Sequence, residues 1–598
     1  MASRDDMMRE LLYGDMLTTP SYDVDFAVGT TYSLNFKALL IVPYSLGMFG
    51  DLSDNVKRSP LFLLESIRRC SDHFALFCHR GGIHLPHEAQ SYYSLLEDSI
   101  FEVSNQQNPE ANFHPKIWVI KEHHHETPND KQLKVVVMSK NLGLDNNLDM
   151  AVSMTGKINT DHSKNTRHHG PLKDFLYALA NYAKDAKKRK RILEVADDLL
   201  RVKAFELDDT RFEPDGYEFI PFWFGKCLNK RIKFPNDFQA QSVMVISPFI
   251  DDNTLTQMNM QVKEYGTKTL VTRAEYVSPA IYEQYAAENG SIYVMNDQMK
   301  TNDYHPIDLH AKTYFFSNSR NDNRLLIGSA NATNAAFHRN TEFLLSLKLR
   351  SGNGLLNRFR KEFLQMDDND ESLMYEPVTT SQGAYEEHGR SELEKYMCKV
   401  VCGTFTANAE PDRNEHYRIT INTDIPTSKV PITIAPLQMP TIALPLRDMI
   451  MFEHIPLTKL SQFYILTAHQ DKELWQEVIK IPTAGIPNER NDEIFRGIVN
   501  TKEKFYNYIS FMLCDDPEEY IFELEQAAKI LKQNQSNTTV VMPQRIYEQM
   551  LKMAAKNPAG LERLEDVTRI VNDKDYAQEF NALYSQFKPL IAKLKQLL

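Results

Sequence analysis

The sequence predicts an α/β protein made of two pseudo-repeated lobes sharing one site, followed by a β-rich module and a helical C-terminal region. Three observations carry this reading. His-x-Lys occurs at His114–Lys116 and at His310–Lys312, and each copy is followed by Ser-x-Asn, at Ser139–Asn141 and Ser329–Asn331. An apolar hairpin carries each pair, with strands predicted over 117–120 and 135–138 in the first copy and over 313–316 and 325–328 in the second. The short apolar runs around the hairpins also come in the same order in both halves.

In the first lobe, residues 1–160, strands are predicted at 25–28, 74–77 and 99–103 ahead of the hairpin and at 150–154 after it. A helix is expected over Ser59–Ile67, with Ser59 as cap and Pro60 in the first turn. The second lobe, 241–355, repeats the order with strands at 243–247, 269–272, 291–295 and, past the hairpin, 343–347. Two such lobes facing each other need one shared site, so a monomer is chemically sufficient. Residues 161–240 are expected to be a helical insert, because Leu172, Phe175, Leu176 and Leu179, then Ile192, Val195, Ala196 and Leu199, recur at helical spacing.

Beyond Gly352, Gly354 and the acidic run 367–371 the pattern changes. Residues 356–485 read as a mixed, β-rich module, with a helix near 391–401 and short strands at 417–421 and 463–466 among many prolines. Residues 486–598 read as helical, with Pro543 opening a stripe of Ile546, Tyr547, Met550 and Leu551, and a second stripe of Phe580, Leu583, Tyr584 and Phe587. These stripes are expected to form core or a partner-docking face.

Composition narrows the setting. The 598 residues carry a net charge of −12, which does not suit indiscriminate coating of nucleic acid, so any such contact must use local basic patches. The opening residues lack the charged and apolar regions of a secretory signal, and no apolar run is long enough to span a bilayer, so a cytoplasmic protein without a membrane role is expected. Six cysteines form no Cys-x-x-Cys, and Cys398 with Cys402 has no second pair to complete a zinc site. No metal and no cofactor is expected.

The residue types in the repeated motif suit a phosphodiester. Such a bond carries a negative charge and a poor leaving oxygen, so cleavage calls for a nucleophile, a proton donor and donors around the equatorial oxygens. Two imidazoles can divide the first two tasks, because one can be neutral and attack while the other supplies a proton. The acid then becomes the base that activates water against a phosphohistidine. Lys116, Lys312, Asn141 and Asn331 would hold the phosphoryl oxygens, with Ser139 and Ser329 assisting.

These paired elements resemble the phospholipase D superfamily, whose members bring two His-Lys half-sites together. Where that family's pattern has an Asp after each Lys, this chain has Lys121 and Ser317. The loss of Asp with a retained Asn is similar to the His-Lys-Asn variant of tyrosyl-DNA phosphodiesterases and some nuclease branches. Gly328–Thr333 followed by Asn340–Phe343 is similar to the Gly-Ser-x-Asn and Asn-x-Glu segments of bacterial nucleases, whereas the first half has Met138 in place of the Gly. The resemblance implies that Glu342, or Asp149 in the first half, orients a catalytic imidazole. It also implies that His114 is the nucleophile and His310 the general acid and base.

Segments Tyr22–Ser33, Phe113–Trp118 and Ser139–Leu142 are further similar to bacterial helicase-associated phospholipase D-like proteins of anti-phage defence. The implied function is metal-independent cleavage of nucleic acid, DNA before RNA, with a helicase or other ATPase partner held through the C-terminal region. The competing readings are a phospholipase D-type lipid hydrolase or transphosphatidylase, and an inactive DNA-binding scaffold.

Other features have plainer readings. A third copy, His162–Lys164, lies in a polar run without strands or Ser-x-Asn. His123–Glu126 falls in the polar turn of the first hairpin, where consecutive side chains cannot all face one ion. His79, His84 and His87 are expected on a surface loop. The basic run Lys184, Lys187, Lys188, Arg189, Lys190 and Arg191 is expected to be a solvated helix face, although it is the best local patch for nucleic acid. Phe219, Phe222, Trp223 and Phe224 are expected to pack as core before stacking on bases, and Tyr32 to border the groove.

Overall fold

The first half of the chain folds as one mixed sheet whose strand order explains how the hairpin reaches its centre. A computed structural model describes residues 16–40, 42, 46, 64–142, 147–160, 166–222, 240–296, 308–350, 354–380, 390–425, 430–513, 546–589 and 593, less 66, 69, 106, 208, 287–288, 319–321, 368, 370, 557 and 572–573. The strands are β1 (Tyr22–Thr30), β2 (Phe74–His79), β3 (Ile100–Val103), β4 (Ile117–His124), β5 (Lys131–Met138) and β6 (Ala151–Lys157), in the order β3-β2-β1-β4-β5-β6. β1, β2 and β3 run parallel, and the antiparallel hairpin β4–β5 is added on the other side of β1. Buried on both faces, β2 is almost continuously apolar, as is β5 from Val135 to Met138. Gly29 in β1 lies under the buried Trp118 ring of β4, where an added Cβ would come within 2.6 Å.

The insert supplies α1 (Thr166–Ala180) and α2 (Ala186–Asp198), capped by the Asp185 side chain on Lys188 N. It also supplies a long strand, β7 (Phe212–Phe222), which differs from the expectation of an all-helical insert. Pro214, Asp215 and Gly216 read as a turn, but Asp215 at φ 58 is accommodated where the pairing with the second lobe shifts register, and the strand continues. Phe219 and Phe222 are buried in that sheet, while Trp223 and Phe224 lie outside the described residues.

The second lobe repeats the first. Its strands are β8 (Ala240–Ile246), β9 (Val262–Thr272), β10 (Gly290–Met295), β11 (Thr313–Ser317), β12 (Asn323–Gly328), β13 (Glu342–Leu349) and β14 (Tyr375–Pro377). They lie in the order β14-β10-β9-β8-β11-β12-β13-β7, which is the first sheet's order with one strand added at each edge. α3 (Asp252–Asn259) and α4 (Pro279–Ala286) fill the parallel crossovers, and α5 (Asn334–His338) precedes β13. The corresponding first-lobe helix expected at Ser59–Ile67 falls largely outside the described residues, as does His162–Lys164. One apolar cluster joins Val28, Phe77 and Val135 of the first sheet, Leu176 and Val195 of the insert, and Ile246, Phe315 and Phe343 of the second sheet.

Two residues of the basic run are structural. Lys188 is buried and donates to Ser71 O, Phe74 O and Ser99 Oγ, and Arg191 donates to Asp25 O and covers Phe26. These two residues anchor α2 to the first lobe, so the run is only in part the expected solvated helix face. Lys121, at a position where the resembling family has Asp, pairs with Asp198 at 2.5 Å for the same purpose.

After α6 (Leu355–Leu364) comes α7 (Glu392–Val401), which opens on a complete Ser391–Glu394 capping box. Strands between 405 and 484 form two four-stranded sheets around Ile419, Ile434, Phe452 and Leu466, as the prolines and short apolar runs predicted. This module docks on the first lobe, with Ile465 and Val478 packing into the cluster that holds Leu76 and Trp118. Helices α8 (Glu489–Ile498), α9 (Lys502–Leu513), α10 (Ile546–Lys556), α11 (Pro558–Ile570) and α12 (Asp575–Ser585) make a separate core that includes Met550, Phe580 and Tyr584. The two C-terminal stripes are therefore mainly core, although Tyr547 and Leu551 stay exposed. No helix among the described residues is long and apolar enough to cross a membrane.

Candidate active site

His114 and Lys116 lie just before β4, and His310 and Lys312 just before β11, so within each pair the two-residue spacing of an extended chain puts both side chains on one side. Each lysine reaches back to its own histidine, Lys116 Nζ to His114 O at 2.8 Å and Lys312 Nζ to His310 O at 2.7 Å. Each histidine is then pinned by the other lobe. His114 N donates to Thr341 O and His310 N to Leu148 O, both at 2.9 Å, beside the bridges Phe113–Thr341 and Leu148–Leu309. Lys312 Nζ adds a third crossing to Ser139 O at 3.2 Å. The two half-sites thus form one centre at the seam of the lobes.

The Ser-x-Asn segments follow β5 and β12. Ser139 N donates to Met150 O at 3.1 Å and Ser329 N to Phe343 O at 3.0 Å. The Ser139 hydroxyl donates to Asp149 and the Ser329 hydroxyl to Glu342. This corrects the expectation that the serines assist at phosphorus. Both are fully buried and their hydroxyls are committed to holding the carboxylates.

The carboxylates break the symmetry. Glu342 Oε2 lies 2.9 Å from His114 Nδ1. Asp149, one methylene shorter, bonds to Ser139 and to Met150 N at 2.8 Å, and His310 Nδ1 instead faces Lys312 Nζ at 3.2 Å. With Glu342 ionised, its Oε2 accepts from both the Ser329 hydroxyl and His114 Nδ1, which leaves the lone pair of that ring on Nε2. An amine donates to His310 Nδ1, so the proton of that ring belongs on Nε2.

Burial sets the electrostatics. His114 is held well below the ordinary imidazole range by burial, then by Lys116 and Lys312. His310 is lowered by the same three influences, with burial first. Lys116 is also lowered strongly, and Lys312 is pushed down to about 7 by burial against the pull of Asp149 and Glu342. Glu342 rises to about 8, and burial raises Asp149. The empty centre therefore favours uncharged forms, and an entering anion would draw protons back onto the amines.

Asn141 Oδ1 accepts Tyr32 N at 3.3 Å. Asn331 Oδ1 is buried with no hydrogen-bond partner, an arrangement that costs about 1–3 kcal/mol unless a ligand supplies a donor or the amide turns its NH₂ toward an acceptor. Glu342 Oε1 is likewise unpaired. Among the described residues no cluster of His, Cys, Asp and Glu could hold a metal ion. His123 and His125 pair instead with Asp25 and Asp23, each at 2.8 Å, and His123 lies in β4 and not in a turn. Cys398 receives Arg390 Nη1 at 3.3 Å.

Sequence reasoning missed three residues around the centre. His79 is not on a surface loop; it ends β2, is 8% exposed and accepts Phe113 N at 3.2 Å through Nδ1. Burial and Arg390 push it down to about 3, so it is a neutral prop. It stacks on Tyr32, whose ring meets His114 edge-on at 5.2 Å, so Tyr32 does border the centre. Arg273, just after β9, pairs with Asp308 at 2.7 Å and donates to Leu309 O at 3.2 Å, directly ahead of His310. Arg390, ahead of α7, donates to Asn112, which lies two residues before His114. A polar residue ending an apolar strand was the available signal for His79 and Arg273.

No family model and no curated protein matches the chain. Among solved structures, the chain is similar to yeast tyrosyl-DNA phosphodiesterase, at 13% identity and a TM-score of 0.34 over 57% of this chain and 86% of that one. It is also similar to phosphatidylserine synthase of Haemophilus influenzae, at 11% identity and 0.35 over 66% and 89%. NucT from Helicobacter pylori aligns at 11% identity and 0.18 over 25% of this chain and 93% of its own. In its own residues, two His-Lys hairpins on repeated sheets meeting at one centre, the chain resembles the phospholipase D superfamily.

Proposed function

We propose that the chain is a phosphodiesterase that cleaves nucleic acid through a phosphohistidine on His114 and needs no metal. The observation that carries this is the opposite pairing of the two imidazoles, Glu342 at His114 Nδ1 and Lys312 at His310 Nδ1. It leaves a lone pair on one Nε2 and a proton on the other, which are the two things in-line displacement at phosphorus requires.

In the first step His114 Nε2 bonds to phosphorus as the P–O bond to the leaving alkoxide breaks, and His310 Nε2–H gives that alkoxide its proton while protonated Lys312 Nζ passes one to His310 Nδ1, so the ring stays neutral. Glu342 keeps the His114 ring oriented as it becomes cationic. In the second step water adds to phosphorus, its proton passes to His310 Nε2 as Nδ1 returns its own to Lys312 Nζ, and the N–P bond breaks to restore His114. Among the described residues Lys116 Nζ donates to His114 O, and its other N–H bonds can meet the phosphoryl oxygens together with Asn331. Lys312 is occupied by Ser139 O, His310 O and His310 Nδ1, and acts through its charge and its hold on His310.

Nucleic acid is favoured over lipid by the Asn-x-Glu element at Asn340–Glu342 and by Lys121 and Ser317 in place of Asp. A helicase or other ATPase on the C-terminal region, and a place in anti-phage defence, extend the proposal from the motif resemblance. The test is incubation of the purified chain with labelled single- and double-stranded DNA and RNA in EDTA, beside His114→Ala and His310→Ala. Metal-dependent cleavage, or cleavage surviving both substitutions, refutes the mechanism. Cleavage of phosphatidyl lipid with none of nucleic acid moves the chain to the lipid reading.

A further inference from the structure

A cavity of about 610 Å³ opens beside the first lobe, and four parts of the chain build it. The first lobe gives Arg80, Phe101 and the loop from Ser104 to Phe113, the insert gives Tyr182 and Lys184, the second lobe gives Thr341, and the β-rich module gives Lys480. It lies at the carboxyl ends of the parallel strands β2 and β3, where open α/β sheets bind ligands. Its volume falls within the range of about 300–1,000 Å³ that suits a small organic ligand and far exceeds a bare inorganic anion.

The charge in this cavity is one-sided. Arg80, Lys184 and Lys480 are set against a single carboxylate, Glu102, whose two oxygens are already taken by Gly81 N at 3.2 Å and Lys480 N at 2.9 Å. Lys480 Nζ is held by Glu97 O and Ile100 O at 2.5 and 2.8 Å, over the Phe101 ring, which leaves one of its three N–H bonds for a ligand. Among the described residues Arg80 donates from Nε to Val401 O and lies over the Phe405 ring, and Lys184 is exposed. Asn105 uses its Oδ1 on Gln107 N and Asn108 N, leaving an amide donor. With Gln107 and Asn181 it forms a rim of carboxamides, the group that pairs with base edges, close to the rings of Phe101 and Tyr182.

We propose that this cavity binds a nucleoside phosphate, with the phosphate among Arg80, Lys184 and Lys480 and the base at the carboxamide rim. The site is separate from the His-Lys centre and does not depend on which phosphodiester that centre cuts. The bridged residues Phe113 and Thr341 line it, and the residues that follow, His114 and Glu342, are the pair whose contact orients the nucleophile. A bound nucleotide therefore lies beside the backbone that sets that contact. The ligand's source is either a free nucleotide or the flank of a bound strand.

The test is titration of the full chain, as wild type and as the non-cleaving His114→Ala/His310→Ala protein, with adenosine monophosphate, a deoxyadenosine tetranucleotide and inorganic phosphate, read by calorimetry. Saturable nucleotide binding is expected in both proteins, weakened about tenfold by Lys184→Glu and by Arg80→Gln. Both variants should keep the wild-type rate on bis(p-nitrophenyl) phosphate. A tetranucleotide bound at least about tenfold more tightly than the monophosphate assigns the cavity to the strand, and equal affinities assign it to a free nucleotide. Binding lost in the His114→Ala/His310→Ala protein but indifferent to Lys184→Glu and Arg80→Gln overturns the proposal, as does no binding at millimolar ligand. Inorganic phosphate bound as well as the nucleotide overturns the nucleoside assignment.

Discussion

Glu342 Oε2 sits 2.9 Å from the Nδ1 of His114, a residue of the opposite lobe, and no equivalent contact joins Asp149 to His310. Each carboxylate hangs from a serine in its own lobe, and only the longer one reaches a histidine across the seam. The two imidazoles therefore differ in chemistry although the strands beneath them are repeated.

Glu342→Gln keeps the length of the side chain and an oxygen for His114 Nδ1 but removes the charge that supports a cationic ring. Turnover should fall about 10- to 100-fold. The measurement is kcat on bis(p-nitrophenyl) phosphate in EDTA, with thermal unfolding as the folding control. Wild-type kcat in this variant would remove Glu342 from the mechanism.

In the proposed mechanism His310 serves as acid for a poor leaving group and as base for water in the second step. With a p-nitrophenyl ester the first step needs little acid, so His310→Asn should form the phosphohistidine and stall. One equivalent of nitrophenol should appear as a burst, with an acid-labile adduct visible by intact mass, while steady turnover drops about 10²- to 10⁴-fold. His114→Asn should show neither burst nor adduct, and an adduct on that protein would reverse the assigned roles.

Lys312, at about 7, is protonated below neutrality and loses its charge as the pH rises through that value. Sulfate affinity at the centre should fall between pH 6 and pH 8.5, by at most about tenfold per pH unit for one proton. Glu342, at about 8, ionises within the same window and pushes in the same direction. Calorimetric titrations should show the trend in wild type and a shallower one in Lys312→Met. An affinity that rises with pH would contradict this electrostatic account.

Gly29→Ala would drive a methyl into the Trp118 ring, at 2.6 Å from its nearest atoms. The strand pair that carries His114 should lose about 1–3 kcal/mol, seen as a lower midpoint in denaturant. Gly497 in α8, whose added Cβ meets nothing within 4 Å, is the permissive comparison.

The repeated strands and the His, Lys, Ser and Asn positions were legible because each depends on local spacing along a hairpin, and period-two apolar runs fix which residues share an edge. The His114–Glu342 contact joins residues 228 apart, and only the packing of one lobe on the other creates it. The serines were misjudged for a related reason: a hydroxyl beside a buried carboxylate bonds to it first. β7 was hidden by Pro214–Gly216, a turn signal overridden by pairing with β13. His79 and Arg273 lie at strand ends, where sequence does not reveal whether a polar side chain turns outward or under the neighbouring loop.

The joining of both half-sites on one chain has a kinetic consequence. In a symmetric pair of identical subunits either imidazole could attack, and a substrate would find two equivalent orientations. Here the one-methylene difference between Asp149 and Glu342 removes that degeneracy, so under the proposed mechanism a phosphodiester in the seam has a single productive orientation.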